Sequence, residues 1–146
     1  MEYKNTGIQT GIAFSAFLLL IHAIVDWLNS GYSQADGVLW FFQVFIYFIA
    51  SLTAANAQFR ASQDSDKEVE HMGIVEAGRG AAMITCLAMW AYIVVRSVVL
   101  DDAGMFGGSG ILPFCGFILL DFIVAIALGN WGGRIIINQH APVNNY

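Results

Sequence analysis

Four runs of mostly apolar residues, each about twenty residues or longer, dominate this chain: 8–28, 38–58, 74–100 and 111–130, to within a residue or two. A hydrocarbon layer about 30 Å thick is crossed by about 20 helical residues. Each run therefore has the length of a transmembrane helix, and only short loops and tails remain between them. The runs are continuous rather than alternating, which argues for helices over a membrane β-barrel. The expectation is a single all-α domain over 1–146. It is an integral membrane four-helix bundle, up-down-up-down, with four transmembrane spans.

Composition agrees. Of 146 residues, 58% are hydrophobic and 12% charged, about half the charge of an ordinary soluble domain. Span 1 carries His22 and Asp26 at its far end and no A-x-A-like cleavage site follows, so it is expected to stay as a span. Lys4, Arg60, Lys67, Arg79 and Arg134 all fall on the side of the termini, and Arg96 lies inside span 3. By the positive-inside rule both termini are expected to be cytoplasmic. Nothing marks a nucleic-acid partner.

Local signals fit this plan. Ser33 or Asp36 can cap helix 2. The only long polar run, "RASQDSDKEVEH", contains an S-x-x-E capping pattern at Ser65 and Glu68, so helix 3 is expected from near Ser65 to near Val99. Pro113 sits in the first turn of helix 4, where proline is tolerated.

Small residues recur every four positions in the inner half of each span. Span 1 has Gly7, Gly11 and Ser15; span 3 has Gly73, Ala77, Ala81 and Thr85. Span 4 has Ala125, Gly129 and Gly133, and span 2 has Ala50 and Ala54. Such stripes let helix backbones approach closely in lipid. The outer halves are bulky and aromatic, as in "LWFFQVFIYF", so the bundle is expected to be tight inside and splayed outside. Trp27, Trp40 and Trp131 fit an aromatic belt.

The outer halves also hold polar groups. His22 and Asp26, Gln43 and Tyr47, and Tyr92 and Arg96 are i,i+4 pairs on spans 1, 2 and 3, and each pair lies on one helical face. Asp121 lies nearer the midplane of span 4. Ionisable residues in a span typically face the bundle interior and pair there. Depth counting pairs Arg96 with Asp26, brings His22 toward Asp26, Tyr47 or Tyr92, and leaves Asp121 without an assigned partner. These seven residues form the candidate binding cluster.

Two readings of the cluster compete. In the first, which is favoured, it is a satisfied polar core that sets the register of the helices. In the second, it lines an outward cavity for an ion, a proton or a small ligand. No metal spacing, catalytic pair or cofactor motif is visible. Cys86, near the inner end of span 3, and Cys115, near the outer start of span 4, differ too much in depth for a disulfide. The expectation is a non-enzymatic protein working through other membrane proteins, as an accessory subunit of a complex or a self-assembling scaffold. The alternative is a small oligomeric channel or transporter.

Overall fold

In a computed structural model the described residues form four α-helices: α1 Glu2–Leu28, α2 Asp36–Asp64, α3 His71–Val99 and α4 Ile111–His140. Side chains are described for 5–25, 27–28, 40–63, 71–96 and 115–140. All four helices are long and apolar enough to cross a membrane, as in an integral multi-pass membrane protein. A backbone in hydrocarbon has no water to bond, and the helix satisfies its N–H and C=O groups internally. Pro113 is the third residue of α4, where an N–H would have no helical acceptor.

One helix runs well past the sequence expectation. Helix α4 continues ten residues past Asn130, through "WGGRIIINQH", to His140. Gly132 and Gly133, beyond the expected end, are buried contact points inside the helix. Helix α3 ends at Val99 as expected, and its described part begins at His71. The capping pattern at Ser65 and Glu68 lies outside the described residues.

Helices α2 and α3 form the centre. They touch each other, and α1 and α4 each pack against both of them. Residue numbers rise together along α1 and α3: a Cβ at Gly7 would meet Ala77, and one at Gly11 would meet Ile84. They run oppositely along α3 and α4, where Gly133 meets Val75 and Gly129 meets Arg79. Between α2 and α4 they rise together again. The Ser51 hydroxyl donates to Gly129 O at 2.9 Å, and the Phe59 and His140 rings lie 4.1 Å apart. Thr6 at the start of α1 donates to Gln58 Oε1 near the end of α2 at 2.9 Å.

All ten small residues of the α1, α3 and α4 stripes, from Gly7 to Gly133, are buried. Ala50, Ala54, Ala77 and Ala81 make one apolar cluster, lined by Phe14. Beyond it lies a core of large side chains, Leu18, Ile46, Tyr47, Met89 and Trp90. The half expected to splay is therefore filled by bulk rather than by backbone contact. Outside the core, Trp27 is 80% exposed, and Phe41 and Phe45 point away from the bundle.

The glycine contacts give a direct test. A Cβ at Gly129 would lie 2.6 Å from Arg79 Cα, and one at Gly133 2.6 Å from Val75 Cα. Both obstacles are backbone, so the helices must separate. Gly129→Ala and Gly133→Ala are each expected to lower stability by about 1–3 kcal/mol, the usual cost of overpacking. Gly116→Ala, with nothing within 4 Å of its Cβ, is expected to be neutral or to stabilise by up to about 1 kcal/mol. Unfolding in lipid–detergent micelles measures all three.

Candidate functional site

The polar residues of the interior gather around one carboxyl group. Asp121, at the end of the first third of α4, is wholly buried. Helix α2 brings Gln43 and Tyr47 to it, one turn apart on one face. Gln43 Nε2 donates to Asp121 Oδ2 at 2.9 Å and also to the Tyr47 hydroxyl, which itself donates to Oδ2 at 3.0 Å. Helix α3 brings a second i,i+4 pair. Trp90 Nε1 donates to the same oxygen at 2.9 Å, and the Cys86 thiol approaches it at 3.6 Å. Donors from α2 and α3 thus converge on one atom of α4.

The other oxygen is different. Asp121 Oδ1 is equally buried and has no hydrogen-bond partner among the described residues. The carboxyl is used on one side only. Leu18, Met89 and Ala125 belong to the same core cluster and surround this polar contact with apolar bulk. In such a medium an interhelical hydrogen bond contributes about 0.6 kcal/mol on average in membrane proteins. The cost of stranding a buried donor is larger, about 1–3 kcal/mol.

The seven candidate residues fall into two groups. Gln43, Tyr47 and Asp121 are brought together directly. His22 is buried on α1 and meets the half-buried Tyr92 of α3 edge-on, with ring centroids 6.1 Å apart. Arg96 is half-buried further along α3. The side chain of Asp26 lies outside the described residues, and with it the expected pairing to Arg96.

Two members of the cluster were not expected from the sequence. Cys86, read as lying near the inner end of span 3, sits beside Asp121. Trp90, in the middle of α3, was assigned no role. The signal was present: Cys86 and Trp90 are a donor pair at i,i+4, like Gln43 and Tyr47. A tryptophan deep in a span also needs an acceptor for its indole N–H.

A second set of hydroxyls serves the close-packed end. The Thr85 hydroxyl donates to Ala81 O at 2.9 Å and lies 3.4 Å from Gly11 O, across the α1–α3 contact. The Ser15 hydroxyl donates to Gly11 O at 2.6 Å. Ser51 Oγ, already bonded to Gly129 O, is also the atom a Cβ at Gly78 would meet at 2.8 Å. No group of three His, Cys, Asp or Glu side chains that suits a metal ion occurs among the described residues. Compared with family models, with curated proteins and with solved structures, the chain matches none.

The convergence on Oδ2 sets an order of effects. Tyr47→Phe removes two hydrogen bonds, one donated to Asp121 Oδ2 and one accepted from Gln43 Nε2, and is expected to cost about 1.2 kcal/mol at about 0.6 per bond. Asp121→Ala strands the donors of Gln43, Tyr47 and Trp90 and opens a cavity, so a loss of roughly 3 kcal/mol or more is expected. Adding Gln43→Leu to Asp121→Leu removes one stranded donor, so the pair is expected to be less damaging than the sum of the singles. A double-mutant cycle on unfolding free energy reads all of these.

Proposed function

We propose that this protein is a non-enzymatic, multi-pass membrane protein that acts through association with other membrane proteins. It serves as an accessory subunit of a complex or as a self-assembling scaffold. In this reading residues 1–146 form one four-span domain, up-down-up-down, with both termini cytoplasmic. The residue pairings support the topology: Gly7 with Ala77, Gly129 with Arg79, and Ser51 with Gly129. The distribution of Lys and Arg supports the orientation.

One observation carries the association reading. The interior donors Gln43, Tyr47, Cys86 and Trp90 are all directed to a carboxyl of the same chain. What the chain presents outward is apolar and aromatic: Phe41 and Phe45 on α2, Phe117 and Trp131 on α4, and Phe17 and Trp27 on α1. The partners that suit such a surface are the lipid bilayer and the spans of other subunits or of further copies. A second reading, a small oligomeric channel or transporter built on the polar cluster, is favoured by Asp121 Oδ1, a buried oxygen with no hydrogen-bond partner among the described residues.

Native mass spectrometry after gentle extraction from the source membrane separates the two. Association predicts co-purifying membrane subunits or a homo-oligomer, and no pH-dependent flux in liposomes. A homo-oligomer whose liposome flux depends on pH and is lost in His22→Ala would refute it and leave the transport reading.

A further inference from the structure

We propose that the groove between α3 and α4, at the end of the bundle that carries Arg79 and Arg134, binds the phosphodiester headgroup of an anionic phospholipid. The inference goes beyond both functional readings and depends on neither. Gly129 of α4 lies against Arg79 of α3. A Cβ at Gly129 would stand 2.6 Å from Arg79 Cα and 3.3 Å from Arg79 Cβ. Arg79 therefore leaves α3 at the α4 seam, where the facing residue has no side chain to cover it. Asn130 follows Gly129, and Arg134 lies one turn further on the same face of α4. These faces turn away from α2. A Cβ at Gly78 or at Gly132 would meet Ser51 of α2. Arg79 stands about 100° around α3 from Gly78, and Asn130 and Arg134 each stand about 160° around α4 from Gly132. Helix α1 packs on the other flank of α3, against Ala77 and Ala81.

The groove has the charge and the depth for a headgroup. Arg134 is exposed, and Arg79 and Asn130 are half-buried. Arg79 meets Glu76, one turn away, at 3.8 Å, which is long for an ion pair, and a guanidinium has five N–H donors to place. Two arginines and one glutamate leave a net charge of +1, which one phosphodiester balances. A planar guanidinium meets phosphate oxygens in pairs, and the Asn130 amide adds a neutral donor. Trp131, between Asn130 and Arg134 in sequence, is exposed and stacks on Phe48 of α2. A tryptophan so placed marks the headgroup level of a bilayer. Ile123 and Leu119 continue the Asn130 face deeper into the span, exposed and apolar, as acyl chains require. Basic pockets between spans hold such headgroups in other membrane proteins.

The test is native mass spectrometry of the full chain in detergent, titrated with phosphatidylglycerol or with phosphatidylcholine of the same acyl chains. Phosphatidylglycerol is expected to bind more tightly. Arg79→Gln and Arg134→Gln are each expected to weaken it about fivefold, the effect of one basic residue at an anionic surface. Arg60→Gln removes an exposed arginine of α2 outside the groove and is expected to leave binding unchanged. Glu76→Gln removes the competing acid and is expected to strengthen phosphatidylglycerol binding, a gain that loss of folding cannot mimic. Inorganic phosphate is expected not to displace the lipid. Equal binding of the two lipids would overturn the proposal, as would a weaker complex in Glu76→Gln or full binding in Arg134→Gln. A loss in Arg60→Gln as large as in Arg134→Gln would replace it with diffuse charge attraction. Displacement by phosphate alone would replace it with an ion site that needs no lipid.

Discussion

One carboxyl oxygen organises the middle of this bundle. Three helices cannot slide or rotate independently when donors from α2 and α3 meet on a single atom of α4. Each donor comes from a side chain of fixed reach, so a shift of one residue along any helix breaks several bonds together. Hydrocarbon offers no water to replace them, and the penalty for stranded donors is what enforces the register. The stabilisation per bond is modest. The specificity comes from convergence.

The cluster leaves α1 out, and α1 is held by other means. Gly7 and Gly11 bring its backbone against Ala77, Ala81 and Ile84 of α3. Thr85 reaches Gly11 O, and Thr6 reaches Gln58. Van der Waals contact between backbones needs small residues over several turns, and they are there. On the opposite side α4 uses the same device through Gly129 and Gly133. The bundle therefore has two zones. In one, helices touch backbone to backbone. In the other, they are kept apart by Leu18, Tyr47, Met89 and Trp90 and tied through Asp121.

Much of this was legible in the sequence, because it depends on residue type and spacing. Length and hydropathy mark the four helices. The spacing of Gly7, Gly11, Gly129 and Gly133 marks the close contacts. The pair Gln43 and Tyr47 is visible as one polar face. What was not legible was which face of each helix meets which neighbour. Counting residues from a span end gives depth alone, and depth paired Arg96 with Asp26 while leaving Asp121 without a partner. The rotation of α4 turns Asp121 toward α2 and α3, and that rotation is set by Gly129 and Gly133 further along the helix. The length of α4 was not legible either: the apolar run was read to Asn130, whereas "WGGRIIINQH" continues the helix to His140.

The central claim is that Asp121 accepts the indole N–H of Trp90 within a dry core, and the four tryptophans make it directly measurable. In a nitrogen-labelled sample in lipid, hydrogen exchange of each indole N–H can be followed by NMR. Trp27 and Trp131 are exposed, whereas Trp90 is 9% exposed and bonded. The account predicts that the Trp90 indole proton exchanges far more slowly than those of Trp27 and Trp131, and that Asp121→Ala shifts its resonance more than theirs. A Trp90 proton that exchanges as fast as that of Trp27, with a resonance unmoved by Asp121→Ala, would contradict it.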